Sequence, residues 1–237
     1  TELLMHVFGA WGVRTGGTVI LAGQPLPVLP PEGTLARGLA LVSEDRKRYG
    51  LILPRDIGFN LSLSSITRLR RGLFVDEEAE VRANQGYFAS LRIKAPSVET
   101  VVGTLSGGNQ QKVVLAKWLA TSPRVLMLDE PTRGVDVGAK AEIYQLLFDA
   151  AERGLGILVS SSENPELLTL CDRILVMFRG RIAALDGRRK NHRGDLPQEN
   201  RLAIFCSQRQ AAQIIKTGSA TQIAYQVLAP VQLEKAT

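Results

Sequence analysis

The sequence predicts an α/β fold in which helices cover a largely parallel sheet. From residue 106 onward the pattern runs helix, strand, helix, strand, helix, strand, the alternation that strand–crossover–strand units impose. VLMLDE at 125–130 is a continuous apolar run, as expected of a strand buried on both faces. With 45 % hydrophobic and 22 % charged residues among 237, the chain can bury a sizeable core, and extended disorder is excluded as its main state.

In chain order, TVILAG at 18–23 reads as a strand ending in a Gly turn. Residues 24–34 hold four prolines and read as a loop. LALVS at 39–43 is a second short strand, and EDRKRYG at 44–50 is a charged, exposed loop. Asp76 to Leu91 is helical: Asp76 can cap, three glutamates sit in the first turn, and Val81, Tyr87, Phe88 and Leu91 recur at helical spacing. A second helix spans 106–122 and stops at Pro123. An amphipathic helix covers 138–153 and ends at Gly154; GILVSS (156–161) and RILVMF (173–178) are buried strands with a short helix, Pro165 to Leu170, between them. After about Asp186 the apolar period is lost, with at most a weak helix from Gln208 to Ile215, and nothing attaches this tail to the core.

Several classes are excluded. No apolar run approaches the ~20 residues of a membrane-spanning helix. Two cysteines, Cys171 and Cys206, rule out a disulfide framework and suit a reducing compartment. No secretory signal pattern stands at the front. The net charge of +6 invites a nucleic-acid reading, but residues 186–237 carry +4 of it and residues 1–185 only +2. His6 reads as a packing or surface residue, Cys171 as a core thiol, Trp118 and Tyr144 as core residues on helix faces, and Arg68, Arg70 and Arg71 as a solvated basic face.

Four motifs carry chemistry. In LSGGNQQ, Leu105 to Gln111, a capping Ser and two glycines open a helix whose first N–H groups lack intrahelical partners, a ready anion site; alone it is also an ordinary capped helix start. In VLMLDEPT an apolar strand delivers Asp129 and Glu130 at its carboxyl end, where α/β sheets bind ligands. One carboxylate there can hold Mg²⁺ and its neighbour can polarise an attacking water; alone it is also an acidic strand-end turn. RGVD, Arg133 to Asp136, follows as a tight loop. SSSENPE, Ser160 to Glu166, closes the next strand.

Together, in this order and spacing, the motifs resemble the ATP-binding cassette (ABC) family: LSGGNQQK resembles its signature, VLMLDE its Walker B strand, RGVD its D-loop and the end of ILVSSS its switch loop. The resemblance covers residues 1 to about 185. EDRKRYG, LSGGNQQK, LDEPTRGVDVGAK and SSENPE are similar, more narrowly, to the second (C-terminal) cassette of the ribose/xylose/galactose-type monosaccharide importer ATP-binding subunits. It implies a P-loop NTPase (ABC ATPase) fold with a RecA-like parallel sheet and a helical signature subdomain at about 55–120. The implied division is a partial nucleotide-binding domain over 1–185 and a tail over 186–237, expected to be poorly ordered or non-native.

The resemblance also implies roles. Asp129 organises Mg²⁺ and Glu130 orients the lytic water. Ser106, Gly107, Gly108 and Asn109 bind the γ-phosphate of ATP held by a partner cassette, and Asp136 sits at the interface between cassettes. Glu44 falls where single-cassette relatives carry the Q-loop Gln, and residues 44–60 are the expected permease contact. Two departures stand out. No Gly-rich loop with a Lys occurs in the chain. Thr1-Glu2-Leu3 resembles the residues after its glycines, so the chain is expected to begin inside Walker A, with Thr1 supplying the metal-side hydroxyl. The switch loop carries Ser162 where ABC ATPases usually carry His.

The function so implied is the ATP-binding, ATP-hydrolysing subunit of a bacterial monosaccharide importer, using ATP and Mg²⁺. It would act at the cytoplasmic face of the cell membrane as a peripheral protein. Its partners would be a second cassette (fused upstream), a transmembrane permease and, indirectly, a periplasmic sugar-binding protein, with no nucleic acid. The rivals are a soluble ABC protein acting on ribosomes or DNA, and a non-catalytic cassette half.

Overall fold

The structure, a computed structural model, describes residues 1–12, 16–72, 74–178, 181–187 and 203–206. A six-stranded sheet organises it, in the order β3 (Leu39–Val42), β6 (Val125–Asp129), β7 (Gly156–Ser161), β10 (Ala203–Cys206), β8 (Arg173–Phe178) and β9 (Arg181–Gly187). The first five are mutually parallel and β9 turns back antiparallel on β8. All five residues of β6 are buried, as its unbroken apolar sequence requires.

The period of two along a strand divides the core. Leu39, Leu41, Val125 and Met127 face a cluster built with Leu4 and Phe8 of α1 (Glu2–Phe8) and with Val19, Leu21 and Leu26. Ala40, Val42, Leu126 and Leu128 face the opposite cluster. That side is covered by α5 (Gly107–Leu119), α6 (Val137–Glu152) and α7 (Asn164–Leu170) through Val113, Val114, Ile143, Leu147 and Leu167. Trp118 touches both clusters and meets the Phe8 ring edge-on at 6.1 Å.

Residues 24–34, expected as a loop, hold two elements. Gln24–Leu26 forms β2 and pairs antiparallel with β1 (Val19–Leu21). Pro31–Ala36 forms α2. Prolines permit both: Pro25 lies in a two-stranded hairpin, and Pro31 opens a helix where no N–H is needed. EDRKRYG is exposed over most of its length, but 46–50 winds into a single π turn capped by Asp45, and Gly50 is buried. Residues 203–206, for which the sequence offers no attachment, pair with both β7 and β8. The helix considered at 208–215 lies outside the described residues.

The segment between β3 and α5 is largely helical. α3 (Ile57–Ser62) and α4 (Glu77–Ser90, capped by Asp76) pack toward α5. Asn84 and Ser62, both buried, hydrogen-bond each other at 2.9–3.1 Å. Val81 is 52 % exposed, so helical spacing alone does not make it core. Arg68, Arg70 and Arg71 are exposed, and Cys171 is buried.

Two lysines on α5 are buried. Lys112 Nζ donates to the Arg92 carbonyl at 2.8 Å and to Glu142 at 2.5 Å. Lys117 Nζ donates to the Gly50 carbonyl at 2.5 Å and stands 4.9 Å from the Trp118 ring centre. Burial pushes the Lys117 ammonium down to about 8.

Candidate functional site

Two groups of residues gather around the loop from Glu130 to Asp136. The first lies at the carboxyl ends of β6 and β7. Asp129 is 1 % exposed, and neither of its carboxylate oxygens has a hydrogen-bond partner. The Thr1 main-chain nitrogen stands 3.4 Å from Oδ1, so the fold brings Thr1 and Asp129 together. A buried carboxylate without hydrogen bonds is costly unless a cation balances it, and hard oxygen donors suit Mg²⁺. The residues present therefore fit that ion. Among the described residues no cluster of three or more His, Cys, Asp or Glu forms a metal cage.

Glu130 follows in the left-handed region, φ 49°, an uncommon conformation for a residue with a side chain. Its N–H donates to the Ser160 carbonyl at 2.7 Å, which ties the end of β6 to β7. Burial pushes the Glu130 carboxyl above the usual range. Interaction with the Ser162 hydroxyl and main-chain N–H pulls it back, and the Glu166 and Asp129 charges add to the rise. Strand alternation explains the placement of the serines. Ser160 has its hydroxyl 3.5 Å from the Thr1 main-chain nitrogen and Ser162 interacts with Glu130, while Ser161 between them is buried.

Ser161 enters a network that the sequence did not disclose. Its hydroxyl donates to Glu166 Oε2 at 2.5 Å and accepts the Glu163 N–H at 3.0 Å. Thr132 donates to Glu166 Oε1 at 2.7 Å. Ser161, Thr132 and Glu166 are all at most 2 % exposed. Burial, with the Glu166 charge adding to it, raises the nearby Tyr144 phenol to about 12.

The second group lies at the start of α5. Ser106 caps the helix, its Oγ accepting from Asn109 N at 3.4 Å and Nδ2 at 3.1 Å. Asn109 in turn accepts the Lys94 N–H at 2.9 Å. Gly107 and Gly108 are held tightly: a Cβ on Gly107 would meet the Gly134 carbonyl and an Arg46 guanidinium nitrogen, both at 2.9 Å. Asp136 is exposed and caps α6 by accepting the Ala139 N–H at 2.9 Å.

Two further contacts were not foreseen. The Arg46 guanidinium donates to the Arg133 carbonyl at 2.8 Å and to the Gly134 carbonyl at 3.4 Å. Glu44, expected on the nucleotide, is ion-paired with Arg133. The segment after β3 and the loop after β6 are thus clamped reciprocally. Charged residues in both motifs were visible in the sequence, but nothing there paired positions 87 and 88 apart.

Solved structures share this architecture. A nucleotide-free ATP-binding cassette from an ABC transporter superposes with a TM-score of 0.69 at 20 % identity, over 80 % of this chain and 76 % of that one. A dimeric cassette in a post-hydrolysis state, bound to ADP and Pi, gives 0.66 at 22 % identity, over 79 % and 80 %. The fold is that of an ATP-binding cassette. Residues 13–133, just over half the chain, match the family described as ABC transporter, and the chain belongs to that family.

Among curated relatives, the xylose import ATP-binding protein XylG of Geobacillus kaustophilus is 47 % identical over 182 residues, 77 % of this chain and 36 % of the relative. A putative ribose/galactose/methyl galactoside import ATP-binding protein of Rhizobium etli is 46 % identical, over 77 % and 34 %. The arabinose import ATP-binding protein AraG of Ralstonia nicotianae is 47 % identical over 189 residues, 77 % and 37 %. The chain spans little more than a third of the length of these relatives.

Proposed function

We propose that this chain is part of the ATP-binding, ATP-hydrolysing subunit of a bacterial ABC importer for a monosaccharide. The observation that carries this is the pair at the end of β6: a buried Asp129 carboxylate with no hydrogen-bond partner beside a Glu130 held in a left-handed turn with its proton affinity raised. The names of the relatives favour uptake of a pentose or a related sugar over action on ribosomes or DNA.

Asp129, with the Thr1 hydroxyl, would hold Mg²⁺, which would neutralise phosphate charge on bound ATP. Glu130 accepts a hydrogen bond from the attacking water and orients it toward the γ-phosphate. Ser162 keeps the Glu130 carboxylate in place. Ser106, Gly107, Gly108 and Asn109, at the start of α5, would receive the γ-phosphate of ATP on a partner cassette, with Asp136 at that interface. Glu44, through Arg133, would link the nucleotide region to residues 44–60, where Tyr49 and Ile52 are exposed and a membrane permease would dock.

The division into a partial nucleotide-binding domain over 1–185, with a helical subdomain at about 55–120, and a tail over 186–237 is part of this reading, with residues 203–206 of that tail paired into the central sheet. So are a second cassette in the same protein, a periplasmic sugar-binding partner and a peripheral position at the cytoplasmic face of the membrane. No helix among the described residues is long and apolar enough to cross a membrane.

Uptake of labelled xylose, ribose or arabinose by proteoliposomes holding the full-length protein and its permease tests the proposal. Gly108→Asp places a negative charge against the phosphate and should abolish uptake, while Ser162→Ala should lower it less. Parental uptake by both variants would refute the assignment.

A further inference from the structure

We propose that Glu166 is a positioning residue: its buried carboxylate ties the Thr132 turn to the end of β7 and thereby holds Glu130 and Ser162 facing each other. This rests on the reading of Glu130 as the group that orients water.

The argument is one of donors and acceptors. Glu166 lies on α7, 2 % exposed, and each of its oxygens takes one hydroxyl. Oε1 accepts from Thr132 at 2.7 Å and Oε2 from Ser161 at 2.5 Å. Ser161 also accepts the Glu163 N–H at 3.0 Å, which fixes its proton toward Glu166. Thr132 lies two residues after Glu130, and Ser161 immediately precedes Ser162. A single carboxylate therefore spans both loops that carry the proposed chemistry. The main-chain bond from Glu130 N to Ser160 O at 2.7 Å is another tie between them.

A carboxylate takes both hydroxyls at once. It offers two acceptors, whereas an amide offers one acceptor and one donor. Replacing Glu166 by Gln leaves one hydroxyl without its acceptor in a buried site, so one of the two loops is released. Small displacements of groups around a reacting centre lower turnover steeply. Nucleotide affinity, which depends on phosphate and base contacts elsewhere, is untouched. The signature of a positioning role is thus a fall in kcat with KM for ATP unchanged.

The test measures ATP hydrolysis by the full-length protein with its permease, in four variants with thermal melts alongside. Glu166→Gln and Thr132→Val should lower kcat about 10- to 100-fold with KM within twofold of parental. Thr132→Ser, which keeps the hydroxyl, should restore kcat to within about twofold. Glu130→Gln serves as the reference. If Glu130→Gln abolishes turnover while Glu166→Gln and Thr132→Val keep parental kcat, the positioning role is wrong and the water-orienting role stands. If Glu130→Gln keeps parental turnover, the water-orienting reading itself is wrong. A rise in KM matching the fall in kcat, or failure of Thr132→Ser to recover, also overturns the proposal by showing a merely structural effect.

Discussion

A Cβ placed on Gly108 would lie 2.4 Å from the Cβ of Ala139, so the start of α5 and the first turn of α6 touch through a glycine and a methyl group. The contact joins the LSGGN motif to the helix that Asp136 caps. Side-chain volume at either position is therefore constrained.

Gly108→Ala should destabilise the chain by about 2 kcal/mol, the cost of overpacking. Adding Ala139→Gly removes the opposing methyl and should recover at least half of that loss. Urea unfolding of the two single variants and the double variant measures the coupling. Strict additivity would show that these two atoms do not meet.

Lys112 and Glu142 form the deepest ion pair among the described residues, with Lys112 1 % exposed and the Glu142 side chain 37 % exposed. The Lys112 hydrogen bond first, and that of Lys94 next, hold the Glu142 carboxyl down at about 2. Between about 2 and the ordinary 4.5 the unfolded chain binds a proton that the folded chain does not. The stabilisation is therefore complete above the ordinary value and lost as pH falls through about 2. Glu142→Gln should cost about 3 kcal/mol at pH 7. Solvent screening trims the carboxylate's own share, so most of this comes from a buried Lys112 charge left unpaired. The difference from parent should shrink toward zero near pH 2, and Lys112→Met added to Glu142→Gln should recover much of the loss. A deficit independent of pH would contradict the pairing.

Lys117 behaves in the opposite sense. Burial lowers its ammonium to about 8 from 10.5. Across that window the unfolded chain holds a proton that the folded chain has released, so stability rises with pH. The gain is on the order of 3 kcal/mol, and below pH 8 both states are charged and nothing changes. Denaturant titrations at pH 7 and pH 10.5 should show the parent gaining on Lys117→Met. Parallel pH profiles would contradict it.

The core elements were legible because local pattern and environment agree. Val125 to Leu128 is an unbroken apolar run and β6 is buried throughout. Ser106 reads as a cap and caps α5, and Asp76 does the same for α4. Asp129, Glu130 and Ser162 were marked by their position at strand ends, and the fold brings them together with Thr1. The Pro-rich stretch before β3 misled because Pro25 and Pro31 occupy the few strand and helix positions that tolerate them. The rest lies in long-range pairing. Glu166 meets Thr132 across 34 residues and Arg46 meets Arg133 across 87, and β10 reaches its place between β7 and β8 from a segment with no periodicity.

The central claim is that Asp129 and Glu130 serve ATP hydrolysis coupled to sugar uptake. Its most direct test is Mg²⁺-dependent ATP hydrolysis by the full-length protein with its permease in proteoliposomes, parent against Glu130→Gln, with sugar uptake recorded in the same vesicles. Turnover should fall about 100-fold or more, uptake should fall with it, and ATP binding should persist. Hydrolysis and uptake at parental rates in Glu130→Gln would contradict the account.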